Sequence, residues 1–430
     1  MLSRLDLRGA DADPRAVLAA TADSDEEPVA AVRDIIARVR RDGDRALRAL
    51  TQDLDGATID DLRVAPAECA TALHGLDPEL RAALELAAGR ITAYHRAQAE
   101  VPEPGGIDVD GVSVVEHTVP VDRVGLYVPG GRAAYPSTVL MTAIPARCAG
   151  VTEIALCVPP APDGSVPAVT LAAAALAEVG EIYRVGGAQA IAAMAYGTET
   201  IRPVDLIVGP GNVYVSVAKQ EVAADGAVGI DAPAGPSELV VIADATAPAD
   251  WVAADLLAQA EHGPGGTAIV IAWDEDVCNS VAVAVDEAVA SSARRDEIRA
   301  SLSTGGRAVL ARDAKHAVEI ANAVAPEHLE LCVADPAALL PLVRNAGAVF
   351  CGVDTPTALG DYVAGSNHVL PTGRAARFAG ALRVDDFRKH VHVVTATGEG
   401  VTKIGAAGAV IARGEGLEEH ARSLELRARR

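Results

Sequence analysis

Past residue 112, short β-branched runs alternate with Ala-rich segments of helical length, and this alternation constrains the fold more than any other feature of the chain. Val121–Val128, Glu153–Val158, Glu181–Arg184 and Leu206–Val208 are predicted strands. Ser137–Cys148, Ala168–Val179, Ala188–Tyr196 and Val213–Ala223 are predicted helices. Strands separated by helices are joined by crossovers, so they pair in parallel and are covered on both faces. The pattern resumes after Asp231. Leu239–Ile242, Ala268–Trp273, Leu329–Cys332 and Ala348–Cys351 read as strands, and Trp251–Glu261, Val277–Ser292 and Asp313–Ala323 as helices. Two successive α/β units of similar size suggest a duplication, although no sequence repeat carries it.

The flanks differ in texture. Residues 1–98 read as helical, with Val32, Ile35, Ile36 and Val39 at helical spacing in Val29–Leu50 and a second helix over Leu76–Gln98. Val101–Gly111 is rich in Pro, Gly and Asp and reads as a linker or hairpin. Phe387–Thr395 is a predicted strand, and Gly414–Arg430 a charged helix with a thin stripe of Leu417, Ala421 and Leu424. So narrow a stripe at a chain end suits docking on another surface, such as a second subunit.

Charge and composition narrow the function. Acidic residues outnumber basic ones 59 to 37, a net charge of −22, which disfavours nucleic acid and anionic membranes as partners. Aromatic residues make up only 3 %, too few for a base-stacking platform. No apolar run reaches the roughly 18 residues of a membrane span. Met1–Arg8 lacks the apolar core of a signal peptide, so the expected location is cytoplasmic. The six cysteines form no CxxC pair and read as free thiols of a reducing compartment.

The chemistry-bearing segments each admit two readings. No G-x-G-x-x-G fingerprint is present; Gly263-Pro264-Gly265-Gly266 fails at position 268. Three other Gly-rich loops end predicted strands: Gly125–Gly131, Gly186-Gly187-Ala188-Gln189 and Gly209-Pro210-Gly211-Asn212. Ligands of open α/β sheets bind at such ends, where glycine lets backbone approach a phosphate. Each loop alone is equally a tight turn; three in one unit favour a small-molecule site. Gln259-x-x-His262 sets two side chains on one helix face, a weak metal signal because Gln is a poor zinc ligand. His390-x-His392 is a ligand pair or a polar strand face. Glu327-His328 places a carboxylate beside an imidazole, a natural acid–base couple. Pro326-Glu327 equally fits the first turn of a helix. Asp361, in the loop Gly360–His368, is a ligand or a turn residue. Ser237, in Asp231–Glu238, contacts a ligand or caps the next element. On local grounds Glu415 and His420 are charges on a solvated helix.

Eight segments run in one order over nearly the whole chain. They are Val124–Arg132 (VGLYVPGGR), Val185–Ala190 (VGGAQA), Val208–Val213 (VGPGNV), Asp231–Glu238 (DAPAGPSE), Leu257–Gly263 (LAQAEHG), Ala325–Leu329 (APEHL), Gly365–Thr372 (GSNHVLPT) and Gly414–Ser423 (GEGLEEHARS). Together they resemble the histidinol dehydrogenase family. The resemblance implies an aldehyde-dehydrogenase-like α/β fold: two Rossmann-like α/β/α domains, with extended helical N- and C-terminal segments that cross a homodimer. It implies an N-terminal segment at 1–24 and a first domain of 25–112 with 238–382 on the substrate and zinc side. A second domain, 113–237, takes the NAD side, and 383–430 form the dimer-crossing tail.

The implied activity is oxidation of L-histidinol through L-histidinaldehyde to L-histidine, with two NAD reduced and one zinc per site. The implied metal ligands, which also surround the substrate, are Gln259, His262, Asp361 and, across the subunits, His420. His328 is implied as the base and Glu327 as the activator of water in the second step. Ser237 and Glu415, the latter across the subunits, are implied substrate contacts, with His368 as a further candidate. Tyr127, Gln189 and Asn212 are implied NAD contacts. Two other classes stand beside this one: a zinc-dependent hydrolase in which Glu327 activates water, and a non-catalytic relative. The Gly-rich loops argue against the first, and the presence of Glu327 and His328 against the second.

Overall fold

The computed structural model describes residues 1–9, 13–15, 17, 28–100, 105–130, 133–232, 235–263 and 265–429. Residues 10–12, 16 and 18–24 of the expected 1–24 segment and the first part of the 101–111 linker lie outside the described residues, as do Gly131, Arg132, Pro233, Ala234 and Pro264 of the motifs.

Fourteen strands are found among the described residues. They are β1 (Ser3–Asp6), β2 (Ile107–Val109), β3 (Val112–Pro120), β4 (Arg123–Tyr127), β5 (Glu153–Val158), β6 (Glu181–Arg184) and β7 (Leu206–Val208). Next come β8 (Gly229–Ile230), β9 (Glu238–Ala243), β10 (Thr267–Ala272), β11 (Gly306–Leu310), β12 (His328–Cys332), β13 (Ala348–Cys351) and β14 (Arg388–Ala396). One sheet has the order β6-β5-β4-β7-β8 and is parallel throughout. A second has the order β1-β11-β10-β9-β12-β13 and is also parallel. Counted from the first strand of each unit, both sheets read 3-2-1-4-5, with β1 added at one edge. The two units therefore repeat one doubly wound topology. β1 lies in a stretch expected to be helical; the unpaired edge of β11 takes up its backbone groups instead.

Each sheet is sandwiched. Val124, Leu126, Ile154 and Leu156 point to one side of the five-stranded sheet, and Tyr127, Ala155 and Cys157 to the other. The first side packs on the helices Pro78–Ala99, Pro136–Ala149 and Ala168–Leu176, and the second on Val29–Asp55, Gly187–Tyr196 and Val213–Ala224. The helices between residues 29 and 99 thus cover the five-stranded sheet. The expected grouping of 25–112 with 238–382 does not match this packing, because the apolar faces of these helices meet β4–β8 rather than β9–β13.

β2, β3 and β14 form a separate antiparallel ribbon, so the 101–111 stretch resolves, where described, as one side of a hairpin. Asp110 and Gly111 both take positive φ (55° and 76°) at its two-residue turn. His390 and His392 lie on the exposed β14, and His390 pairs with Glu116 of β3 at 2.8 Å, the polar-face alternative. The chain ends in a helical hairpin, Gly398–Gly414 and Glu418–Ala428, whose inner face is Ala409, Ala412, Ala421 and Leu424. The thin stripe expected to dock elsewhere is therefore spent largely on the tail's own hairpin. Other apolar residues remain exposed there: Ile404, Val410, Ile411 and Leu426 on the hairpin, and Val391, Val393 and Val394 on β14.

Candidate active site

A cleft of about 720 Å³ opens between the two sheets. On one wall stand the carboxyl ends of β4 and β7, with Pro129, Val208, Gly209 and Pro210. This is the switch point of the five-stranded sheet, the usual ligand crevice of doubly wound folds. On the other wall stand the amino ends of β9 and β12, with Ser237, Glu327 and His328. The second unit therefore meets the cleft with the edge opposite to the usual one.

The helix Ala314–Val324 ends at Ala325 in left-handed conformation (φ 54°), its N–H on the Ala321 carbonyl at 2.8 Å. The chain then turns into β12. The helix start that Pro326-Glu327 allowed is thus not formed; instead their carbonyls accept from the N–H groups of Gly347 (3.0 Å) and Ala348 (2.9 Å). Glu327 is buried, and its Oε2 accepts from the Ser237 hydroxyl at 2.5 Å and the Glu238 N–H at 3.1 Å. Burial raises the Glu327 carboxyl, and His328 with these two donors pulls it back only partly.

His328 is buried too. Its Nδ1 lies 3.3 Å from the Glu238 carbonyl and 3.5 Å from Glu327 Oε2, and its Nε2 3.5 Å from Asp361 Oδ1. Burial lowers this imidazole, but Asp361 and Glu327 outweigh burial and lift it to about 9. Nε2 is buried without a hydrogen-bond partner.

Three metal-donor candidates surround this couple. Gln259 ends the helix Ala249–Ala260, His262 follows it, and Asp361 comes from the helix Thr357–Tyr362. His262 and Asp361 line the cleft; Gln259 is buried behind it. Burial raises Asp361, but His328 beside it outweighs that and holds it below the usual range. The Ser237 hydroxyl has one proton, yet it faces both Glu327 Oε2 (2.5 Å) and Gln259 Oε1 (3.0 Å). Gln259 Nε2 meanwhile is buried with no partner. Turning the amide over resolves the first point and changes the second: its NH₂ donates to Ser237 Oγ, Ser237 donates to Glu327, and the unpaired atom becomes an oxygen in place of the nitrogen. A spare amide oxygen, an imidazole and a carboxylate suit a borderline cation that accepts N and O ligands. Among the described residues no three His, Cys, Asp or Glu side chains of this single chain form a metal cluster.

The three Gly-rich loops meet at the carboxyl edge of the five-stranded sheet. Tyr127 Oη accepts from the Gly187 N–H at 3.0 Å, and burial raises its pKa. Gln189 is buried in the first turn of Gly187–Tyr196, with neither amide atom hydrogen-bonded. Two orphaned amide atoms beside a glycine turn fit a polar cofactor group. Asn212 is exposed and caps Val213–Ala224 through Val215 N–H at 3.2 Å. Gly209 (φ 119°) is needed here, because a Cβ would collide with the Tyr127 carbonyl oxygen.

His368 reaches the cleft, but both its nitrogens are engaged, Nδ1 with the Asp361 carbonyl (3.1 Å) and Nε2 with Thr138 Oγ1 (3.0 Å). Burial keeps it neutral, so one nitrogen donates and the other accepts; it holds the Asp361 turn in place. Glu415 and His420 are exposed and do not line the cleft of their own chain.

Three residues escaped sequence reasoning. Lys219 is fully buried, ion-paired to Asp231 and bonded to the Gly209 carbonyl at 3.0 Å, while Asp231 accepts from Gly209 N–H at 2.7 Å. Glu238, half-buried beside Glu327, is pushed up to about 7 by desolvation and then by that neighbour's charge. Glu330 is fully buried in β12. An acid in an apolar strand, and one of only four lysines in an apolar helix, were the available signals.

Comparison with known proteins points one way. The family model for histidinol dehydrogenase matches residues 19–428. Histidinol dehydrogenase of Rhizobium meliloti (strain 1021) is 50 % identical over 404 residues, 94 % of this chain and 92 % of the relative. That of Synechococcus sp. is 49 % identical over 93 % of this chain and 92 % of the relative. The crystal structure of histidinol dehydrogenase from Elizabethkingia anophelis superposes with a TM-score of 0.95 at 33 % identity, covering 100 % of this chain and 98 % of that one.

Proposed function

The chain belongs to the histidinol dehydrogenase family, and we propose that it oxidises L-histidinol through L-histidinaldehyde to L-histidine, with two NAD reduced per turnover. One observation carries the chemistry: the adjacent Glu327 and His328 face a cleft shared by the glycine-loop edge of one sheet and the metal-donor set of the other. Zinc, when bound by Gln259, His262, Asp361 and His420 of the partner subunit, supplies a Lewis acid that orients the substrate's imidazole and amine. NAD, when bound over Tyr127, Gln189 and Asn212, supplies the hydride acceptor.

His328 Nε2, without a protein hydrogen bond, takes the hydroxyl proton once the imidazole is in its neutral form, as the alcohol carbon loses its hydride. The same nitrogen takes a proton from the aldehyde hydrate in the second oxidation. Glu327 holds the water that forms this hydrate. Its Oε2 is engaged by Ser237 and Glu238, and its other oxygen, with no hydrogen bond among the described residues, accepts the proton of the attacking water. Ser237 keeps that carboxylate in register. Glu415 is read as a substrate contact across the dimer.

The two residues separate by substrate. Glu327→Gln is expected to slow oxidation of L-histidinaldehyde about 10²–10⁴-fold while largely sparing alcohol oxidation. His328→Asn is expected to slow both by a similar factor. Stopped-flow NADH traces from each substrate check this; equal loss of both steps in Glu327→Gln would contradict the division of roles.

A further inference from the structure

Glu330 is an acid with 0 % exposure in the middle of β12, and the reaction does not use it. It shares a strand face with His328 and Cys332, the face that packs on the helix Ala249–Ala260. Its Oε1 accepts twice from Thr357, from the N–H at 2.7 Å and from the hydroxyl at 2.6 Å. Thr357 is the first residue of the short helix Thr357–Tyr362, and the residue before it, Pro356, makes no side-chain cap. Glu330 is therefore the cap of that helix, supplied from another element. Its Oε2 faces the Cys332 thiol at 3.9 Å, and Asp255 of the helix Ala249–Ala260 is its charged neighbour. Burial and the charge of Glu330 push the Asp255 carboxyl up to about 7.

Each member of this trio stands one structural repeat from a site residue. Asp255 and Gln259 are i and i+4 on one helix, as are Thr357 and Asp361 on the other. Glu330 and His328 are i and i+2 on the strand. The Thr357–Tyr362 helix also lies hard against the strand beside β12. A Cβ on Gly360 would stand 2.5 Å from the Phe350 ring, and that ring's centroid is 6.0 Å from that of His328.

We propose that Glu330 is a positioning residue for the metal-donor set. Through Thr357 it fixes the helix that carries Asp361, which touches the helix that carries Gln259. The inference rests on the reading of Gln259, His262 and Asp361 as zinc ligands. It makes no use of Glu330 as a proton donor or acceptor to substrate.

Thr357→Pro tests it with little disturbance. Proline removes both donors to Glu330 at once, is favoured at a first helical position, and comes after a residue already extended (ψ 152°). In the full-length protein, zinc affinity is measured by chelator competition and helix order by amide exchange over residues 357–362. Thr357→Pro and Glu330→Ala are expected to weaken zinc binding about 10–100-fold and to speed exchange in that helix. Glu330→Gln is expected to stay near the parent, since its amide oxygen still accepts from Thr357. Parent-like zinc affinity and exchange in Thr357→Pro would overturn the proposal, whether or not Glu330→Ala folds. A parent protein that takes up no zinc, with exchange still faster in Thr357→Pro, would instead overturn the metal reading and support the anchoring of the helix by Glu330.

Discussion

At the scale of single residues, the site is built from buried polar groups whose partners are few and specific. Lys219 shows what that costs. Its ammonium and the Asp231 carboxylate are both out of water, and together they hold both backbone groups of Gly209. Lys219→Met leaves Asp231 charged and unpaired, a loss of about 3–5 kcal/mol. It also frees the Gly209 loop, so KM for NAD is expected to rise more than kcat falls. Adding Asp231→Asn is expected to recover stability but not KM; thermal melts and initial rates separate the two effects. Little of this was legible beforehand. Glu327, His328, Asp361 and Gln259 stand in recognisable motifs, whereas Lys219 sits in an Ala/Val-rich helix, and its partner is twelve residues on in a loop. Nothing in the local sequence announces a pair that only the sheet topology closes.

At the scale of elements, the strand–helix alternation predicted the two parallel sheets well, because a strand buried on both faces has no polar positions to blur its limits. Glu153–Val158, Glu181–Arg184 and Leu206–Val208 form as expected. The short edge strands β1 and β8 did not announce themselves, since two to four residues carry no periodicity. Which sheet the 29–99 helices cover was equally illegible: an apolar stripe shows that a helix docks, not where. The amino edge of the five-stranded sheet carries a test of its own. Arg123 is buried and paired with Glu181 at 2.5 Å and Glu153 at 3.0 Å. The Arg123 hydrogen bond holds Glu181 down at about 2, from an ordinary value of 4.5. The folded pKa lies below the unfolded one, so this contribution is complete above the unfolded value. It is lost as acid protonates the unfolded chain first, between about pH 4.5 and 2. Arg123→Met is expected to flatten the acid limb of the melting-temperature profile in that window; an unchanged limb would assign the acid sensitivity elsewhere.

At the scale of the whole molecule, two of the expected site residues stand away from the cleft of their own chain. His262 and Asp361 converge on it with Gln259 behind, while Glu415 and His420 stand on an exposed tail with apolar residues uncovered around them. A homodimer that exchanges tails would account for both facts. Inactive His328→Ala and His420→Ala subunits, mixed to form hybrids, are then expected to regain one working site per hybrid dimer. Verified hybrids without activity would contradict a shared site. The family was readable in eight ordered motifs, and a tail that crosses a homodimer came only as what that resemblance implies, because a chain carries no local mark of which copy its tail serves.

The most direct test of the account is the number of NADH formed per L-histidinol, read at 340 nm to completion, before and after removal of metal by a chelator and again after zinc is restored. Two NADH per L-histidinol, lost with the metal and regained with zinc, is the predicted result. One NADH per molecule, or full activity in the metal-free protein, would contradict it.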